Sequence, residues 1–151
     1  MEPLSIDDLD AVAALETAIF PEDPWSRGMV SEELRSRARH YVGLRAGGGD
    51  LIAYAGVALG PDAEIMTIGV LPDWRGRGLG TLLLRDLITA AREAGAERIF
   101  LEVRASNESA QRLYEREGFT RIGQIRGYFR HPTEDAVTMR ALLTEVPSVL
   151  R

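Results

Sequence analysis

The sequence predicts an α/β fold of three layers around a mixed, mostly antiparallel sheet. Three observations carry this prediction. Two apolar runs flank a short glycine turn, a glycine-rich loop opens a long amphipathic helix, and an apolar strand follows that helix directly. A tight turn joins antiparallel strands, whereas a strand–helix–strand crossing makes a parallel pair. The chain contains both signals, so the middle of the sheet is expected to be parallel and its flanks antiparallel.

The elements follow in order. Ser5 precedes Ile6-Asp7-Asp8-Leu9 and suits a helix N-cap, with acidic residues in the first turn. Leu9, Val12, Ala13 and Glu16 continue at helical spacing. Pro21 and Pro24 break the chain, and a second short helix is expected from Ser26 to about Arg37. Tyr41-Val42-Gly43-Leu44 and Leu51 to Ala58 read as a hairpin around Gly47-Gly48-Gly49-Asp50. After the turn Gly60-Pro61-Asp62, a third strand runs from about Glu64 to Leu71. From Leu79, the residues Leu82, Leu83, Leu87, Ala90, Ala91 and Ala94 form one helical stripe that Gly95 terminates. Arg98 to Val103 reads as a buried strand, and Asn107 to Glu117 as a helix ending at Gly118. Phe119 to Ile125 and Ala136 to Leu142 form a final strand pair.

A length of 151 residues accommodates one domain, expected to span 1–151. The net charge of −5 argues against a nucleic-acid binder. Cysteine is absent, which excludes disulfides, thiolate nucleophiles and cysteine metal sites. Lysine is absent too, and with it a P-loop and Schiff-base chemistry. With only His40 and His131, no multi-histidine metal centre is expected. No segment reaches the roughly 18 apolar residues of a membrane span, and no signal peptide is visible. A cytoplasmic protein without a membrane partner is expected.

Two features carry chemistry. The first is Ile68-Gly69-Val70-Leu71-Pro72-Asp73-Trp74-Arg75-Gly76-Arg77-Gly78-Leu79-Gly80-Thr81, a strand leading through a glycine-rich turn into a helix. Glycines let backbone N–H groups approach phosphate oxygens, the helix N-terminus adds its positive end, and Arg75 and Arg77 add charge. The loop therefore reads as a pyrophosphate cradle, against the plainer reading of a tightly packed helix entry. A dinucleotide fingerprint is excluded by spacing, because Gly76, Gly78 and Gly80 alternate where a gap of two is required before the third glycine.

The second feature is Glu102 within Ile99-Phe100-Leu101-Glu102-Val103. A carboxylate inside an apolar strand is costly unless paired or functional. Burial raises its pKa, as a base working near neutrality requires; an ion pair with Arg104 is the alternative. On the following helix, Ala110, Leu113 and Tyr114 share one face, so Tyr114 is either a core residue or a phenol turned toward the same site.

The motif Arg75-Gly76-Arg77-Gly78-Leu79-Gly80 resembles the acetyl-CoA signature of the GNAT acetyltransferase superfamily. Leu101-Glu102-Val103-Arg104-Ala105-Ser106-Asn107 and Leu113-Tyr114-Glu115-Arg116-Glu117-Gly118-Phe119 resemble the bacterial ribosomal-protein-alanine N-acetyltransferases, as do Pro24-Trp25-Ser26 and Glu134-Asp135-Ala136. The resemblance implies a GNAT-like αβα fold and transfer of acetyl from acetyl-CoA to the N-terminal α-amine of a small-subunit ribosomal protein beginning with alanine. It implies Glu102 as proton acceptor and Tyr114 as proton donor. It implies Ile68, Gly69 and Val70 as the strand holding the acetyl end, with a Val70 N–H facing the oxyanion. Gly76, Arg77, Gly78, Leu79, Gly80 and Thr81 match the pyrophosphate loop, and Asn107 a further CoA contact; no metal is implied. A small-molecule amine or an internal lysine is the alternative acceptor, and a CoA-binding module without catalysis a third reading.

The segment Tyr128-Phe129-Arg130-His131-Pro132-Thr133 is shorter than the family pattern, and Phe129 stands where a second tyrosine is usual. For an acceptor starting Ala-Arg, the sequence offers Glu22, Asp23, Glu134 and Asp135 as an acidic rim.

Overall fold

The computed structural model describes residues 1–143. Its elements are β1 (Glu2–Pro3), α1 (Leu9–Ile19), α2 (Arg27–Arg35), β2 (Arg39–Arg45), β3 (Leu51–Ala58), β4 (Asp62–Val70), α3 (Leu79–Glu93), β5 (Arg98–Arg104), α4 (Glu108–Arg116), β6 (Thr120–Phe129) and β7 (Glu134–Leu142). The strands form one sheet in the order β1-β2-β3-β4-β5-β7-β6. Only β4 and β5 are parallel; the other neighbours are antiparallel. One face packs on α3 and α4 through Leu83, Leu84, Leu87 and Ala91 with Ala110 and Tyr114. The other packs on α1 and α2 through Val12, Leu15, Ile19 and Val30. The expected three layers and mixed sheet are present.

Local chemistry explains the element starts. The Ser5 hydroxyl accepts from the Asp7 N–H at 3.2 Å while Asp8 Oδ2 accepts from the Ser5 N–H at 2.9 Å. This reciprocal cap closes a 3-10 turn over Ile6–Asp8, so α1 begins one turn later, at Leu9. Ser26 Oγ accepts from the Met29 N–H at 3.1 Å and starts α2.

Three details differ from the sequence expectation. Leu82 is 48% exposed and Ala94 is exposed, so α3 buries a stripe of Leu83, Leu84, Leu87 and Ala91. Successive helical residues lie about 100° apart, which carries Leu82 off the sheet-facing side. Strand β6 continues past Ile125 to Phe129 through a bulge. Gly127 sits there at φ +63°, and its N–H donates to Asp135 Oδ1 at 2.9 Å. The strand expected to end at Ile125 is thus carried on through a kink. The two-residue strand β1, beside β2, was not expected. Residues 144–151 of the expected 1–151 domain lie outside the described residues.

Strands β4 and β5 pair over only three positions, Asp62↔Arg98, Ala63↔Ile99 and Glu64↔Phe100. Beyond Glu64, β4 follows β3 as far as Val70↔Ala53, while β5 follows β7 as far as Arg104↔Ala136. A bulge in β4 assists the parting: Thr67 pairs with Gly56 and Ile65 with Val57, leaving Met66 without a partner on β3. Bulges bend a strand and increase its twist.

One buried charge ties this region together. Glu16 of α1 is 2% exposed. Its Oε2 accepts from the Trp25 N–H at 2.8 Å, and its Oε1 accepts from the Tyr54 hydroxyl of β3. Glu16→Ala leaves both donors unanswered. It is expected to lower stability by about 2 to 4 kcal/mol in urea unfolding; a loss below about 0.5 kcal/mol in that measurement refutes the tie.

Candidate functional site

The parting of β4 and β5 opens a cavity of about 870 Å³. Its floor is Glu64 to Ile68 of β4 and Leu101 to Arg104 of β5. Phe20 to Trp25, between α1 and α2, form one wall, and Tyr128, Phe129 and His131 form the opposite one. Asn107 and Tyr114 reach it from α4 and its cap. The cavity therefore brings together Ile68, Glu102, Asn107 and Tyr114 from four stretches of sequence.

Strand alternation sets Glu102. Ile99, Leu101 and Val103 are buried in the core under α3, so Glu102 points to the other face, into the cavity. Burial raises its pKa first, and the neighbouring carboxylate Glu64 raises it further. The alternative partner is otherwise engaged: the Arg104 Nη1 meets Glu134 Oε1 at 3.3 Å and donates to the Pro132 carbonyl at 2.9 Å. A carboxylate with a raised pKa, facing a cavity, is a better proton acceptor than an ordinary carboxylate.

Tyr114 lies on the inner face of α4, its ring 6.0 Å from that of Phe119. Burial alone pushes its phenol up to about 12. The hydroxyl therefore stays protonated at neutral pH and is equipped to donate. Asn107 caps α4 through Oδ1, which accepts from the Ala110 N–H at 3.1 Å.

After Val70 the chain makes a 3-10 turn over Pro72–Trp74 and enters the loop Arg75 to Gly78. Gly76 and Gly78 adopt φ of +79° and +80°, and a Cβ built on either meets open space. Gly78 is the N-cap of α3 and supplies no side-chain hydrogen bond. The first-turn N–H groups of Leu79, Gly80 and Thr81 therefore lack a side-chain acceptor, as a helix end that could bind an anion requires. A Cβ on Gly80 lies 3.6 Å from Leu113, so this end of α3 abuts α4. The two arginines also have local duties. Arg75 Nε donates to the Val70 carbonyl at 3.0 Å, and the Arg77 guanidinium stacks 4.6 Å from the centre of the Trp74 ring. An open glycine loop at an uncapped helix end, next to an unpaired stretch of β4, fits a pyrophosphate with an extended amide chain. Among the described residues no three His, Asp or Glu side chains are grouped as a metal site needs, and no helix is long and apolar enough to cross a membrane.

The electrostatics are one-sided. Glu16, Glu22, Asp23, Glu32, Glu33, Glu64 and Glu102 line the cavity, facing Arg104 and His131. Glu22 and Asp23 stand where the sequence suggested. Glu134 and Asp135 do not act as a free rim, which corrects the expectation. Glu134 Oε2 accepts from the Ser106 N–H at 2.6 Å, and Asp135 accepts from Gly127 and from Gln124 Nε2. These bonds hold both carboxyls below the usual range. The sequence marks Glu64 only as the start of the third strand and Tyr128 only as the first residue of a segment shorter than the family pattern. Burial, then Glu102 and Glu64, raise the Tyr128 pKa and mark it as their neighbour.

Residues 9–119 match the family described as Acetyltransferase (GNAT) family. The chain is 43% identical over 150 residues to the N-alpha-acetyltransferase RimI of Mycobacterium tuberculosis, covering 92% of each. Among solved structures it resembles the ribosomal-protein-S18-alanine N-acetyltransferase of Escherichia coli, with TM-score 0.87, 29% identity and coverage of 99% and 97%. It shares its fold with Arabidopsis thaliana NAA60 in complex with acetyl-CoA, at TM-score 0.84 and 18% identity over 95% and 98% of the two chains.

Gly78→Val is expected to weaken acetyl-CoA binding at least about tenfold in calorimetry, because the added side chain occupies the open cradle and strains a left-handed position. Unchanged affinity overturns the assignment of this loop.

Proposed function

The chain belongs to the Acetyltransferase (GNAT) family of N-acetyltransferases using acetyl-CoA, and from this premise we propose that it acetylates the N-terminal α-amine of a ribosomal protein beginning with alanine. The observation that carries this reading is the acidic cavity beside the β4–β5 opening, walled by two loops and open enough for a chain terminus. An N-terminus beginning Ala-Arg brings an ammonium and a guanidinium, and both suit a carboxylate-lined cavity. The names carried by the bacterial relatives support the same acceptor. In this reading the whole chain serves as one cytoplasmic N-acetyltransferase domain.

The proposed chemistry follows from the residues. The uncapped start of α3, with Arg75 to Thr81, holds the cofactor's pyrophosphate. The free edge of β4 at Ile68, Gly69 and Val70 lies along its extended arm, and Asn107 adds a contact. Acetyl-CoA supplies an acetyl group activated as a thioester. A protonated amine has no lone pair to offer, so Glu102 accepts its first proton, directly or through one water. The nitrogen–carbonyl bond then forms and the carbon–sulfur bond breaks. Tyr114 gives its proton to the departing sulfur, and the nitrogen's second proton restores the phenol through solvent. With cysteine absent, transfer is direct and no acyl-enzyme on a thiol forms.

Glu102→Gln is expected to lower kcat by roughly two to four orders of magnitude at neutral pH, with acetyl-CoA affinity unchanged. Stopped-time assays with mass-spectrometric site assignment on a peptide starting Ala-Arg, beside a polyamine and an internal-lysine peptide, test the acceptor. Faster transfer to the polyamine or to lysine overturns the α-amine reading, and near-full turnover by the variant overturns the base.

A further inference from the structure

Glu64 is the last residue of β4 still paired with β5, opposite Phe100. Phe100 and Glu102 are two apart on β5, so Glu64 and Glu102 share one face of the sheet at the mouth of the opening. Their side chains are within hydrogen-bonding reach of each other. Both line the cavity that the Tyr114 phenol enters. Two ionised carboxylates at such a separation repel, whereas a carboxylate and a carboxylic acid share a strong hydrogen bond.

Among the described residues neither Glu64 nor Glu102 forms an ion pair. On β5 itself, Arg104 is paired with Glu134, and Arg98 meets Asp62 at 2.8 Å. From α1 and α2, Glu16 is held by Tyr54 and Trp25, Glu33 by Arg39 and Tyr41, and Glu32 adds negative charge. Arg140 of β7 stands opposite Phe100. Tyr128 faces the pair from β6, and His131 lines the same cavity from the following turn.

We infer that Glu64 is a positioning residue for the transfer: with Glu102 it forms a carboxyl pair that holds one proton between its members and receives the acceptor ammonium from both sides. The inference rests on Glu102 being the proton acceptor. When the ammonium enters, its charge relieves the repulsion and the shared proton leaves to solvent. The ammonium then gives a proton to Glu102, the neutral amine attacks, and the pair is left again with one proton. Each turnover returns the pair to its one-proton resting state, its deprotonation to solvent falling at acceptor binding.

Beside Glu64, Glu102 retains its proton to higher pH than a lone carboxylate. The base form is therefore lost as pH falls through a raised value, and that value sets the acid limb of kcat/KM. The experiment measures kcat/KM against pH for the full chain with acetyl-CoA and an Ala-Arg peptide, in Glu64→Gln, Glu64→Asp and Glu102→Gln. Glu64→Gln is expected to move the acid limb down by about one pH unit, burial still holding it above the ordinary carboxylate range. It raises the peptide KM about tenfold while the acetyl-CoA KM stays put. Glu64→Asp keeps the raised limb. The limb is read within each variant, so partial loss of folded enzyme leaves it in place. A wild-type limb and peptide KM in Glu64→Gln overturn the pairing, as does a lowered limb in Glu64→Asp. If Glu102→Gln is inactive in that case, the base assignment survives alone; if Glu102→Gln is fully active, both fall.

Discussion

The parting of β4 from β5 is the constraint on which the rest of this structure depends. Three parallel residue pairs hold the strands together, and beyond Glu64↔Phe100 each strand turns to a different neighbour. Sheets normally leave no interior backbone edge unpaired, because buried N–H and C=O groups need partners. Here the edge is displayed at the centre of the sheet instead of its rim. That leaves a strand-like surface close to the uncapped N-terminus of α3, where the proposed cofactor site lies. The acidic cavity is the continuation of the same opening on the α1 and α2 face.

Several charged residues serve to keep that opening in shape. Glu16 joins α1 to Tyr54 and to the backbone at Trp25, fixing the loop that forms one wall. Glu134 holds the backbone at Ser106 and pairs with Arg104, and Asp135 holds the kink at Gly127. Tyr128 and Phe129 are placed by that kink, and Arg104 stacks 4.4 Å from the centre of the Phe129 ring. The acidic residues thus divide into two kinds. Some spend their charge on backbone N–H groups in the walls, and others leave it facing the space where a cation would lie.

Glu102 and Tyr114, the proposed proton acceptor and donor, differ in how the fold sets their protonation. Both have raised pKa values, but from different starting points. Glu102 begins in the carboxylate range and is lifted toward neutrality by burial and by Glu64. Tyr114 begins well above neutrality and is lifted further by burial, to about 12. The first is a better proton acceptor than an ordinary carboxylate, and the second stays protonated at neutral pH.

Much of this was legible in the chain itself. Apolar periodicity, Ser26 before α2 and the glycine turn of the hairpin are local signals, and each element formed where its own residues favoured it. The glycine loop was legible for the same reason, since Gly76 and Gly78 adopt their left-handed conformations within a short stretch of backbone. Glu102 stood out because a charge interrupts an apolar strand. The partners were not legible, because partnership depends on register between strands far apart in sequence. Glu64 meets Glu102 only through the parallel pairing of β4 with β5, Asp135 reaches Gly127 only across a bulge, and Glu16 finds Tyr54 only when α1 lies on β3. Periodicity assigns a residue to a face of its own element. Packing between elements decides what that face meets, and so the sequence alone determined the parts of this site while the tertiary structure decided which of its charges stand free.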